Sequence, residues 1–170
     1  ESRLSYCYAE TISGWGDFEL DKCVVNTVKA CFGFRAYGGN IHYIKVYANT
    51  TYPNEIVLHC VNNGWVPPFR IYGNGSSNTY VDKVVAIGCT CRGSSSGGWI
   101  EVDDDPLLTI RNIAIYASYF ETDFEIVRFL GSPHATIEHL VVHGCGGNAH
   151  LDTSVADEVE FAMNMGITVS

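Results

Sequence analysis

The chain is short of charge, and shorter still of bases. Charged residues make up 17% of its 170 positions, and 10 Lys and Arg stand against 19 Asp and Glu, for a net charge of −9. That scarcity argues against nucleic acid as a partner, because affinity for a phosphate backbone comes largely from Lys and Arg that displace counterions. No apolar run approaches the roughly 20 residues of a membrane-spanning helix, so no membrane partner is expected. No ten-residue stretch repeats apolar residues at helical spacing. A starting Met and a signal-peptide pattern are both missing, and position 1 is Glu, which points to a processed chain or a domain cut from a longer one. There is no P-loop, no glycine-rich turn of the dinucleotide-binding kind and no Ser-His-Asp spacing, and the six His are scattered, so no cofactor is expected.

What is present is enough for one folded domain. Apolar residues make up 46% of the chain, far above a disordered composition. The seven cysteines are odd in number and loosely spaced; Cys89-Thr-Cys91 is the only close pair, and no second pair follows at zinc-ribbon spacing. Reduced thiols packed as small apolar groups fit this pattern, which favours a reducing compartment or a virion over secretion.

Six segments follow one template, apolar-x-x-apolar-x-apolar. They are Leu4–Ala9, Leu20–Val25, Ile41–Val46, Val81–Ala86, Ile110–Ile115 and Ile137–Val142. Apolar residues two apart, many of them β-branched, indicate strands. After the template comes a small residue (Gly88, Ala117, Gly144, with Ala48 also fitting) and then Cys89, Ser118, Cys145 or Asn49. One such strand cannot bury its apolar face alone; stacking equivalent strands from successive turns can. The expected inward columns are Cys23, Ile44, Val84, Ile113 and Leu140, and beside them Val25, Val46, Ala86, Ile115 and Val142. Further runs at Glu55–Cys60, Phe69–Tyr72, Trp99–Val102 and Phe124–Val127 give each turn two or three strands. Bends are marked by Gly38-Gly39-Asn40, Gly73-Asn74-Gly75 and the Gly/Ser run 93–98. The 40-residue step from Ile41 to Val81 is either one turn with an insertion at 62–79 or two turns. The expectation is an all-β, single-domain, right-handed parallel β-helix of about five to seven turns over residues 1–170, with 155–170 as a capping segment over an otherwise open edge.

Thr109–Tyr116 and Thr136–His143 resemble coils of the pectin-lyase-like superfamily of parallel β-helices, which includes pectate lyases, polygalacturonases and phage tailspikes. The resemblance covers roughly residues 4–150 and implies an elongated coil that binds or processes polysaccharide along its side. The polygalacturonase motifs are not matched: Asp103-Asp104-Asp105 follows a different strand, His143-Gly144 lacks a preceding Gly, and no Arg-x-Lys exists.

Three groups of residues carry candidate chemistry. Glu101, Asp103, Asp104 and Asp105 are the densest carboxylate cluster, suited to a hard cation such as Ca2+ or, through Asp103, to acid–base work on a glycosidic bond; a solvated acidic turn before Pro106 fits the same residues. The outward side of the repeated strand is expected to stack Asn26, Tyr47, Ile87, Tyr116 and His143 beside Val24, Lys45, Val85, Ala114 and Val141. So apolar a face suggests either sugar rings on Tyr47 and Tyr116, with His143 as polar contact or acid–base group, or a homo-oligomer interface. At the bend, Asp21, His42, Asp82, Arg111 and Glu138 line up. Acid, Arg, acid is the material of a lyase site, with Arg111 and Glu138 as reacting groups, and equally of a surface salt-bridge ladder. Two functions follow: a carbohydrate-binding or polysaccharide-processing module, or a non-catalytic structural domain that assembles through its apolar outer column.

Overall fold

The computed structural model describes residues 2–14, 17–30, 33–50, 54–63, 69–92, 97–121, 123–132 and 135–170. The chain is all-β, and its strands lie in two large sheets whose named pairings are all parallel. The first sheet stacks Ser2–Ser5, Phe18–Asp21, Phe34–Tyr37, Glu55–His59, Lys83–Ile87, Leu108–Tyr116, Thr136–His143 and Glu158–Ala162 in chain order. The short strand Thr79–Val81 also pairs with the start of Leu108–Tyr116. Between each pair of these strands the chain visits the second sheet, so both sheets grow one rung at a time. Such a path is compatible with the expected parallel β-helix.

The inward side chains form columns. In the first sheet one column is Phe18, Phe34, Ile56, Val84, Ile113, Leu140 and Val159, and another is Leu20, Ala36, Leu58, Ala86, Ile115, Val142 and Phe161. In the second sheet Ile12, Val28, Ile44, Phe69, Ile100 and Val127 stack likewise. Most of these are at most 1% exposed. Each such side chain stabilises the coil by roughly 1.5–3 kcal/mol relative to exposure.

The columns correct the expected register. Val84, Ile113 and Leu140 share an inward stack as read, but Ile44 and Val46 belong to the second sheet, and Cys23 sits at the corner between sheets. Their places in the first-sheet columns are taken by Ile56 and Leu58. Strands of both sheets must alternate inward and outward over the same core, so both carry the same apolar template and the pattern does not say which sheet a segment joins. The 40-residue step compared positions in different sheets. Successive first-sheet rungs lie 16 residues apart at the start, Phe18 to Phe34, and 29 apart later, Val84 to Ile113. The return lengthens because the second-sheet strand, continuous in Asn40–Tyr47, divides in the next rung into Asn62–Asn63 and Phe69–Tyr72. Within the run 155–170, Glu158–Ala162 and Met165–Val169 add one more rung to each sheet.

Every passage from the first sheet to the second turns on one residue with left-handed backbone. These are Tyr6, Lys22, Gly38, Cys60, Gly88, Ala117, Gly144 and Met163, with φ between 46° and 64°. The next residues stack as Cys7, Cys23, Gly39, Val61, Cys89, Ser118, Cys145 and Asn164. Five of them share one hydrogen-bonding role. The Cys145 thiol donates to the carbonyls of His143 (3.5 Å) and Ile115 (3.6 Å), one in its own rung and one in the rung before. Cys23 and Cys89 repeat this, the Ser118 hydroxyl donates to Tyr116 O, and the Asn164 amide donates to Val142 O. In return the Cys89 and Cys145 amides donate to Ser118 Oγ and Asn164 Oδ1 in the rung after. Gly39 needs no side chain: a Cβ there would meet Cys23 O at 2.2 Å. Asn49, expected at this position, lies past the far end of a second-sheet strand instead.

Six of the cysteines are described, all as free thiols. Burial pushes Cys89 up to about 11 and also raises Cys91 and Cys145. Protonated thiols are poor nucleophiles and poor metal ligands. In native protein at pH 8, iodoacetamide should modify exposed Cys60 and spare Cys23, Cys89, Cys91 and Cys145 until denaturant is added; mass mapping of the adducts checks this. Ala117 holds φ 46° at a cost glycine does not bear. Ala117→Gly should therefore raise stability by about 0.5–1 kcal/mol in urea unfolding, the strain relieved exceeding the entropy added to the unfolded chain.

Candidate binding faces

The first sheet presents one outer face. One column runs Arg3, Glu19, Arg35, Val57, Val85, Ala114, Val141 and Glu160. Its neighbour runs Asp21, Tyr37, His59, Ile87, Tyr116, His143 and Ala162. Tyr116 and His143 are thus rung neighbours, as expected, with Val85, Ala114 and Val141 beside them. The side chain of Tyr116 is 37% exposed. Along the opposite margin of the stripe, Glu55 takes Arg35 at 3.0 Å and Lys83 at 3.8 Å, and His139 meets Glu158 at 2.9 Å.

Tyr47 does not join that face. It stands on the second sheet beside Tyr72, their rings stacked at 5.2 Å and 15°. The expected trio of Tyr47, Tyr116 and His143 is therefore divided between two sheets, for the same reason that Ile44 was misplaced. Asn26, Val24 and Lys45 move with it.

The second sheet's outer face carries what the sequence reading missed. Ser13, Lys29, Lys45, Arg70, Glu101 and Arg128 are in register on successive rungs. The Tyr43 hydroxyl meets the Tyr72 hydroxyl at 3.2 Å, the Lys45 ammonium sits 4.9 Å from the Tyr43 ring, and the Arg70 guanidinium sits 5.8 Å from the Tyr72 ring. Burial, and then the Tyr72 contact, hold the Tyr43 phenol protonated well above its usual range. Among the described residues no carboxylate lies within ion-pair distance of Lys29 or Lys45. Like charges on facing positions of adjacent strands cost stability. The signal was in the sequence: Ile44-Lys-Val-Tyr47 and Phe69-Arg-Ile-Tyr72 share the order apolar, base, apolar, Tyr, and Val28-Lys29-Ala30 shares its first three positions.

Two of the four acidic candidates, Glu101 and Asp105, are occupied by partners within the fold. Glu101 is nearly buried and takes Arg70 at 2.6 Å. Asp105, 5% exposed, accepts the amides of Gly75 (2.8 Å) and Leu107 (3.0 Å), which makes it the anchor of the turn at Gly73–Gly75. Asp103 is half-buried, and burial followed by the charge of Asp104 raises its carboxyl. Asp104 is exposed and packs close to Gly131. Among the described residues no three His, Cys, Asp or Glu are grouped so as to hold a metal ion. At the bend, Arg111 pairs with Asp82 and lies 5.2 Å from the Tyr80 ring. Glu138 forms no ion pair among the described residues, so the ladder is a pair and not a triple. Asp21 pairs with Arg3, and His42 lies on the other sheet.

No protein-family model matches the chain, and neither a curated protein nor a solved structure matches it.

Glu101 depends on its partner. Removing one member of an enclosed ion pair strands the other charge. Arg70→Met should lower unfolding free energy by about 3 kcal/mol, and Arg70→Met with Glu101→Leu should recover most of it; urea titration of the three proteins checks this.

Proposed function

We propose that this chain is a carbohydrate-binding module on a right-handed parallel β-helix of the pectin-lyase-like kind, and that it holds an anionic polysaccharide along the outer face of the second sheet. The observation that carries this reading is the pair of bases Lys29 and Lys45, in register on successive rungs of an acidic protein and without a carboxylate partner among the described residues, next to Arg70, whose charge Glu101 offsets. Rungs about 4.8 Å apart match the rise of an extended sugar chain, so successive acidic sugars meet successive cations. Tyr43, Tyr47 and Tyr72 line the same stretch. The rings of Tyr47 and Tyr72 already cover each other, so hydroxyls and ring edges, together with the charges, face the ligand.

Binding is favoured over processing because the candidate reacting groups are divided: Asp103 follows a strand of the second sheet, whereas Arg111, paired with Asp82, and Glu138 and His143 stand on the first.

Affinity electrophoresis in gels containing polygalacturonate, chondroitin sulfate or dextran tests the reading. Retardation by an anionic gel and none by dextran is expected, declining as salt screens the charges. Lys29→Gln with Lys45→Gln should weaken binding about tenfold or more, the effect of losing about 1.4 kcal/mol. Equal mobility in all three gels would sink the proposal.

A further inference from the structure

We infer that the outer face of the first sheet is an interface between two copies of this chain, packed antiparallel. The two-fold axis runs along the strands, midway between the rungs of Val85 and Ala114. The outward column is charged at Arg3, Glu19 and Arg35, apolar at Val57, Val85, Ala114 and Val141, and charged again at Glu160. Ile87 and Tyr116 extend the apolar stretch on the same rungs as Val85 and Ala114. A contiguous apolar patch rimmed by charge is the mark of a protein interface.

The charge order selects a second copy as occupant, and selects its orientation. A two-fold along the strands reverses the rung order and keeps each column facing its own equivalent. Val57 then faces Val141 of the other copy, Val85 faces Ala114, and Ile87 faces Tyr116. At the rims Arg35, which also pairs with Glu55 of its own chain, meets Glu160, which has no ion-pair partner among the described residues, and the Arg35–Glu55–Lys83 group faces His139, itself paired with Glu158. Each match occurs twice by symmetry. A two-fold along the coil would instead set Arg35 against Arg35 and Glu160 against Glu160. Val85 and Ala114 are already 8% and 5% exposed, so the copies meet mainly through Val57, Ile87, Tyr116 and Val141. This assembly leaves the second sheet free and does not depend on what that sheet binds.

Sedimentation velocity of the whole chain should show a dimer. Val141→Lys should give a monomer with unchanged far-UV circular dichroism and melting temperature. Glu160→Arg should weaken the dimer at least tenfold, and adding Arg35→Glu should restore part of the loss. In a Cys60→Ser background, a short bismaleimide should join Val57→Cys chains to Val141→Cys chains but neither to itself. A chain that stays monomeric to its solubility limit overturns the inference. Cross-linking of Val57→Cys chains to one another overturns it too, because rung order would then be preserved. A monomer in which Tyr116→Ala abolishes retardation by polygalacturonate assigns this face to glycan and also overturns it.

Discussion

The structure depends on a corner. Each time the chain leaves the first sheet it must change direction within about one residue without losing the parallel ladder on either side. A single residue in the left-handed region does this, and the next residue is drawn inward against the rung before. There a small group that both donates and accepts closes the turn. Thiol, hydroxyl and side-chain amide all serve, which is why Cys23, Cys89, Ser118, Cys145 and Asn164 occupy equivalent places. Glycine at the turning position is easiest, yet Tyr6, Lys22, Cys60, Ala117 and Met163 accept the strain. Hydrogen bonds between neighbouring corners keep the rungs in step.

Aligned corners align everything else. Because every rung starts its second-sheet strand from the same place, inward residues fall into columns and outward residues into columns between them. Outer columns thus repeat at the rung spacing, an arrangement suited to a partner that itself repeats. The second sheet's column concentrates bases in a chain that has few. The first sheet's column concentrates apolar residues flanked by opposite charges. The difference between the faces arises from side chains alone, since the backbone beneath them is the same.

The insertions are where the two faces diverge. The second-sheet strand is whole in Val24–Ala30 and Asn40–Tyr47, divided in the next three rungs, and whole again in Gly146–Leu151. Division lets a rung grow without disturbing the first sheet, whose columns run unbroken from Phe18 to Val159. The divisions thus fall in the second sheet, and the pair of half-buried Arg70 and nearly buried Glu101 stands on the strands that follow two of them.

Much of the coil was legible in the residues. Alternating β-branched runs and the recurring small residue followed by Cys or Ser are local properties; they identified strands and the inward stack of Val84, Ile113 and Leu140, and they marked Gly88, Ala117 and Gly144 as equivalent positions without showing that the chain turns there. The outward neighbours Ile87, Tyr116 and His143 follow from these three rungs by simple alternation. The assignment of Ile44, Tyr47 and Cys23 was not legible, because both sheets enclose one core and so impose one pattern on their strands. Only counting rungs in three dimensions separates them. The same holds for the bases: Lys29, Lys45 and Arg70 are far apart in the chain and ordinary one by one. Chain sequence determined that this protein stacks strands and which small residues recur after them. Tertiary structure alone decided which side chains became neighbours across rungs, because register depends on the length of every return between them.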